Sequence, residues 1–163
     1  MEDLKLCDIE APQLLTAAHD CCEFRCGQVV LDRWFQERAV SNQASGASRT
    51  YVVATTKGVV IGYYALAPTA IDPSLATGAV RRNSPSPVPM YLLGQLAVDS
   101  SWNGKGLGSA LLQDAFSRVK QAAQIAGGKA LICQAIDDRA KSFYLHQGWR
   151  LSPIDPMLVM VPL

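Results

Sequence analysis

The stretch Trp102-Asn103-Gly104-Lys105-Gly106-Leu107-Gly108-Ser109 constrains this chain more than any other. Residues 90–98 before it read as a strand, and residues 107–126 after it read as a long helix. Three glycines at alternate positions let the backbone approach a ligand closely, and the N–H groups of the first helical turn point at whatever anion sits there. The pattern reads as a phosphate cradle, although a tight strand-to-helix turn also needs glycine with no ligand present. Two better-known nucleotide motifs do not fit. The Walker spacing is absent, and Gly104-x-Gly106-x-Gly108 is not the Gly-x-Gly-x-x-Gly fingerprint. The turn also follows a β-hairpin late in the chain, where a dinucleotide-binding fold would not put it.

The surrounding periodicities give a mixed α/β order. Residues 4–9 alternate like a short first strand, residues 31–40 carry apolar side chains at helical spacing, and residues 41–48 read as a polar break. Residues 50–55 and 59–66 are β-branched and aromatic around Thr56-Lys57-Gly58, which predicts an antiparallel hairpin. Residues 68–89 hold five prolines with little periodicity and read as a long functional or mobile loop. Leu107, Ala110, Leu111, Ala115, Val119, Ala122 and Ala126 form the apolar stripe of the long helix, which Gly127-Gly128 stops. A strand over 130–136, a short helix over 138–146 capped by Asp137 and Asp138, and a final strand over 157–163 ended by Pro162 complete the order.

With 163 residues, 49% of them hydrophobic and 18% charged, the chain can bury one substantial core without disulfides or a structural metal. No apolar run reaches the roughly 20 residues of a membrane span, and residues 1–5 lack the pattern of a signal peptide, so a cytoplasmic protein is expected. Five cysteines (Cys7, Cys21, Cys22, Cys26, Cys133) at irregular spacing fit a reducing compartment. His19-x-Cys21-Cys22-x3-Cys26 lacks a second ligand pair at zinc spacing, and no metal is expected; Cys26 reads as a buried residue. The net charge of +1 hides an asymmetry: one lysine faces six carboxylates over residues 1–24, whereas fourteen cationic groups face seven carboxylates over residues 25–150. A basic body of this kind can hold a polyanion on one face.

The segments Leu92-Leu-Gly-Gln-Leu-Ala-Val-Asp99, Asn103-Gly-Lys-Gly-Leu-Gly108 with its helix, and Ala140-Lys-Ser-Phe-Tyr-Leu-His-Gln-Gly-Trp149 resemble the acetyl-CoA-binding half of the GNAT N-acetyltransferase superfamily. Upstream, Phe24-Arg-Cys-Gly27, Leu31-Asp-Arg-Trp34, Ala39, Asn42-Gln43 and Arg49-Thr-Tyr-Val52 are similar to GNAT toxins of type II toxin-antitoxin operons, of the TacT kind. The resemblance covers residues 24–150. It implies an α/β GNAT acyl-CoA N-acyltransferase fold over residues 1–163 as one domain: a mixed, mostly antiparallel sheet with splayed central strands, flanked by helices. It implies acetyl-CoA as cosubstrate and no metal. Leu96, Ala97 and Val98 would then face pantetheine, while Asn103, Gly104, Lys105, Gly106, Leu107, Gly108 and Ser109 hold the diphosphate. Phe143 would also contact the cofactor, and Tyr144 would be the catalytic residue beside its sulfur. Two positions depart from the pattern: Asn103 stands where Gln or Arg is usual, and Gln95 where these toxins often have Arg.

The same resemblance implies a toxin that acetylates the α-amino group of aminoacyl-tRNA and so blocks translation. Its partners would be a ribbon-helix-helix antitoxin, DNA only through the antitoxin complex that represses the operon, and a second copy of itself in a homodimer. Arg81 and Arg82, in the Pro-rich loop, are the first candidates for tRNA contact, with Arg33, Arg38 and Arg49 next. Two rival readings are a GNAT acting on a small amine or a protein N-terminus, and a catalytically silent CoA-binding module. The chemistry favours an aminoacyl ester: an α-amine has a pKa near 8, lowered further by the adjacent ester, so no strong base is needed. A phenol of pKa about 10 protonating a thiolate of conjugate pKa about 8.5 runs uphill by roughly 2 kcal/mol. Hydrogen bonding to the developing thiolate, with late proton transfer, is therefore the role expected of Tyr144.

Overall fold

The computed structural model describes residues 8–163. The first-strand expectation over residues 4–9 falls largely outside the described residues; Ile9 makes an isolated antiparallel bridge to Thr55. The elements run β1 (Gln13–Leu14), α1 (Val29–Glu37), α2 (Ala39–Ser45), β2 (Arg49–Ala54), β3 (Val60–Ile71), α3 (Gly78–Arg81), β4 (Val88–Val98), α4 (Leu107–Ala126), β5 (Ala130–Gln134), α5 (Asp138–His146), β6 (Arg150–Leu151) and β7 (Leu158–Pro162). The strands form a mixed sheet in the order β1-β2-β3-β4-β5-β7-β6. β4 and β5 are parallel, whereas β1–β2, β2–β3, β5–β7 and β6–β7 are antiparallel. Two compact units share these elements, Met1–Leu66 with Gln95–Asp114, and Ala67–Gly94 with Ala115–Leu163.

In the first unit the hairpin forms as its β-branched and aromatic content requires, with Tyr51 opposite Tyr64 and Val52 opposite Tyr63. Its core collects Leu15, Phe24, Phe35, Ala39, Val52, Val60, Tyr63 and Ala97. Tyr63 organises it: the ring stacks on Phe35 at 4.2 Å, Phe24 meets it edge-on at 5.4 Å, and the hydroxyl donates to the Leu31 carbonyl at 2.7 Å. A buried phenol of this kind keeps its packing area because its polar tip is satisfied. Gly62 lets α4 approach the hairpin, since a Cβ there would lie 2.9 Å from Leu111 Cδ1.

The expected helix over 31–40 is two helices broken at Arg38, whose φ and ψ of −121° and −30° leave the helical well. The expected polar break over 41–48 is therefore mostly α2, ended by Gly46 at φ 83°. Its Ser, Asn and Gln residues have the composition of a loop, but tertiary bonds hold the helix in place. The Gln43 side chain donates to the Leu15 carbonyl at 2.8 Å and accepts from the Thr50 N–H at 3.0 Å.

The second unit packs Ala76, Val80, Val88, Met90, Ala130, Ile132, Leu158 and Met160. Much of the Pro-rich segment is ordered: β3 runs on to Ile71, a 3-10 turn covers Pro73–Leu75, and α3 buries Val80. Pro68 is tolerated within β3, where it is exposed. β6, too short to show a period, pairs Arg150 and Leu151 with Met160 and Val159. α4 and α5 have the expected bounds, and Asp137 caps α5 by accepting from the Ala140 N–H at 2.8 Å. Within the α4 stripe, Leu107, Leu111, Ala115 and Val119 are buried, whereas Ala110 and Ala126 are exposed. After α4, Gly127 and Gly128 take φ 81° and 125°, and the Tyr91 hydroxyl donates to the Gly127 carbonyl at 2.6 Å.

Candidate functional site

The glycine-rich turn has the geometry of a cradle. Gly104 and Gly106 adopt φ 75° and 77°, the left-handed region that side chains other than glycine enter at a cost. A Cβ on either would meet nothing within 4 Å, so these glycines serve the backbone path and open approach rather than close packing. The first intrahelical bond of α4 runs from the Ala110 N–H to the Gly106 carbonyl at 3.1 Å. The N–H groups of the preceding turn, at Leu107 and Gly108, are thus directed past the helix end, where the dipole favours an anion. Asn103 and Lys105 are exposed, and the Lys105 ammonium lies 4.6 Å from the Trp102 ring centroid. That cation–π contact holds a positive charge at the turn.

The entry to the turn is braced by residues the sequence did not single out for this task. Asp99 accepts from the Ser101 N–H and hydroxyl at 3.0 and 2.6 Å, and its second oxygen accepts from the Arg25 N–H at 3.1 Å. The Ser100 N–H returns a bond to the Arg25 carbonyl at 2.8 Å. Phe24-Arg-Cys-Gly27 therefore acts as a clamp on the segment leading into the turn. Phe24 is buried, and the Cys26 N–H donates to Asp32 at 2.9 Å. The Cys26 side chain itself is half-buried, not buried as expected, and burial pushes its thiol up to about 11. Among the described residues no group of three or more His, Cys, Asp or Glu is placed to hold a metal.

At the end of β4, Leu96 and Val98 are half-buried and Ala97 is buried. The register between β4 and β5 is Tyr91↔Leu131 and Leu92↔Ile132, and Leu96, Ala97 and Val98 lie past its last pair. Their unit ties in through the Asp99 N–H, which donates to the Ile61 carbonyl at 2.8 Å. Gln95 is half-buried.

Tyr144 sits on α5 with only 5% of its surface exposed, its ring 5.1 Å from Trp149 and 5.3 Å from Phe143. The thiol of Cys133 on β5 is its electrostatic neighbour, one that nothing in the sequence pattern announced. Burial first, then the Cys133 sulfur, raises the phenol well above its ordinary value of 10. Burial likewise pushes the Cys133 thiol up to about 11, with Tyr144 pulling the other way. Both groups are neutral at physiological pH.

The five arginines expected to meet RNA divide between the units. Arg33, Arg38 and Arg49 are exposed in the first, where Arg33 lies 3.9 Å from Glu37 and Arg49 donates to the Gln43 carbonyl at 2.9 Å. Arg81 and Arg82 are exposed at the end of α3 in the second. No helix among the described residues is long and apolar enough to cross a membrane.

Comparison with known proteins follows the same lines. The acetyltransferase (GNAT) domain family matches residues 47–151, a span holding the hairpin, the turn, α4 and α5. A tRNA-acetylating toxin of Mycobacterium tuberculosis (strain ATCC 25618 / H37Rv) is 42% identical over 93% of this chain and 90% of its own length. The solved structure of AtaT complexed with acetyl-methionyl-tRNAfMet superposes with a TM-score of 0.86 at 26% identity, covering 95% of each chain. A Tyr-to-Phe mutant of AtaT bound to the C-terminus of the antitoxin AtaR and acetyl-CoA gives a TM-score of 0.81 at 25% identity, covering 95% of this chain and 93% of that one. The turn geometry, the domain match and the 42% identity converge: this chain belongs to the GNAT acetyltransferase family, in the branch that holds the tRNA-acetylating toxins.

Proposed function

We propose that this protein is the toxin of a toxin-antitoxin pair and transfers the acetyl group of acetyl-CoA to the α-amino group of aminoacyl-tRNA, which blocks translation. The observation that carries the reading is the open, positive-φ turn at the N-terminus of α4 in a chain 42% identical to a tRNA-acetylating toxin. The whole chain would act as one GNAT domain, in the cytoplasm and as a homodimer. A ribbon-helix-helix antitoxin would neutralise it and carry the pair to operator DNA.

Each residue has a task that follows from its chemistry. The N–H groups around Gly106, Leu107, Gly108 and Ser109, with the Lys105 charge and the Asn103 amide, hold the diphosphate. Backbone groups of Leu96, Ala97 and Val98 pair with the pantetheine amides as a strand would, and Phe143 packs beside the cofactor. The amine lone pair attacks the thioester carbonyl carbon, the C–S bond breaks, and the electron pair leaves on sulfur. The proton shed by the new amide nitrogen passes to water, and the thiolate is stabilised by the Tyr144 hydroxyl. Because burial raises the Tyr144 phenol above its ordinary value, outright proton donation is harder than the free phenol would suggest. A strong hydrogen bond in the transition state is the better use of it. Arg81, Arg82, Arg33, Arg38 and Arg49 would meet RNA phosphates.

The test is incubation of the purified protein with labelled acetyl-CoA and a pool of charged and uncharged tRNA, beside Tyr144→Phe. Label in charged tRNA alone, lost in Tyr144→Phe, is expected. Binding of acetyl-CoA with no label in any RNA would reject the reading, and label on small amines would favour the rival acetyltransferase.

A further inference from the structure

Lys105 stands between two glycines in the left-handed region, Gly104 at φ 75° and Gly106 at φ 77°, and its side chain is exposed. A lysine so placed has a flexible four-carbon stem and much rotamer freedom to lose when its charge is fixed. Here the ammonium lies 4.6 Å from the Trp102 ring centroid, and among the described residues no carboxylate pairs with it. Trp102 is itself held: only 3% of it is exposed, and its N–H donates to the Asp99 carbonyl at 2.9 Å. Asp99 is tied down in turn. Its carboxylate accepts from the Ser101 N–H at 3.0 Å and the Arg25 N–H at 3.1 Å, and its own N–H donates to the Ile61 carbonyl at 2.8 Å. The aromatic face beside Lys105 is therefore anchored to β3 and to the segment before α1, outside the turn it serves.

Resting on the acetyl-CoA reading above, we propose that Trp102 is a positioning residue for the cofactor: its indole face holds the Lys105 ammonium where the diphosphate arrives. The negative face of the ring attracts the cation and fixes its place. An ammonium carries three N–H donors, and the ring covers one side of it, so donors remain for phosphate oxygens. A carboxylate in the same place would cancel the charge, whereas an aromatic face holds the charge and leaves it net positive. The rotamer freedom of the lysine is then lost on folding rather than on binding, and such preorganisation raises affinity. The effect reaches the cofactor only through Lys105, so Trp102 needs no contact with CoA.

The experiment replaces tryptophan by its mono-, di-, tri- and tetrafluoro analogues, which drain the negative ring face in steps while nearly keeping its shape, in wild type and in Lys105→Met. Isothermal titration with CoA reads the affinity, and thermal melts check folding. In wild type the affinity is expected to fall stepwise, about two- to fivefold over the series. Lys105→Met should bind CoA about tenfold more weakly and show no further fall, although Trp34 and Trp149 carry the same fluorines. Trp102→Phe, which keeps an aromatic face, should bind more tightly than Trp102→Leu, and that difference should vanish in Lys105→Met. A purely structural tryptophan predicts a flat series, or an equal fall with and without the lysine, and either result would overturn the proposal. Wild-type affinity in Lys105→Met would overturn it as well, since the held charge would then meet no phosphate. A wild type that binds no CoA rejects the acetyltransferase reading together with this inference, whereas binding without the lysine-dependent slope removes this inference alone.

Discussion

Gly106→Ala separates what the turn does for the fold from what it does for the ligand. At φ 77° an L-residue pays about 1–2 kcal/mol, and since nothing lies within 4 Å of the added methyl there is no clash to add. Gly46→Ala is the matched control. Gly46 has φ 83° and an equally open Cβ position, but it ends α2, away from the glycine-rich turn in sequence. For a chain of this length each kcal/mol moves the melting temperature by about 2–4 °C, so both variants should lose roughly 2–8 °C. Only Gly106→Ala puts a methyl where a diphosphate would approach. Loss of one charge-assisted hydrogen bond, about 1.5–3 kcal/mol, should weaken CoA binding about 10- to 100-fold. Isothermal titration with CoA alone, beside thermal denaturation, reads both quantities. Equal loss of CoA affinity in Gly46→Ala, or wild-type affinity in Gly106→Ala with the expected melting loss, would refute the cradle.

Other expectations follow from single contacts. In Gly128→Ala a Cβ would collide with Tyr91 Cε2, in a ring pinned by its bond to the Gly127 carbonyl, and at φ 125°. Overpacking and backbone strain together should cost about 3–5 kcal/mol, read by urea denaturation, and a variant as stable as Gly127→Ala would show the ring gives way freely. Stability should also fall in alkali. Cys133 is held protonated when folded, with its thiol near 11 against an ordinary 9.0, so its contribution is complete below the unfolded value and lost as pH rises through about 11. Melting temperatures from pH 8 to 11 should decline less steeply in Cys133→Val, and equal slopes would contradict this. Arg81→Ala with Arg82→Ala should raise the KM for charged tRNA and flatten its salt dependence by about two phosphate contacts while CoA affinity stays unchanged. An unaltered salt slope would remove both from the RNA interface.

The helices α4 and α5 and the β2–β3 hairpin were readable because each carries its own signal: a long apolar stripe, an Asp cap, and β-branched runs around a glycine turn. α2 was not readable, because Ser, Asn and Gln favour loops until the Gln43 side chain is bonded to Leu15 and Thr50 outside the helix. The Pro-rich segment misled in the same direction, since α3 has only four residues and owes its place to the burial of Val80. β1 and β6 are two residues each and exist only through their partners.

The sequence by itself determined the glycine-rich turn and the helix behind it, because glycine spacing and helical periodicity are local properties of the chain, and the family was visible in it as a resemblance of motifs. Only the tertiary structure decided that Phe24-Arg-Cys-Gly27 and Asp99 brace the entry to that turn, and that Tyr144 packs against Trp149 and Phe143 with 5% of its surface exposed. Hydrogen bonds between residues distant in sequence leave no periodic trace. Their partners are chosen by which elements the core brings together.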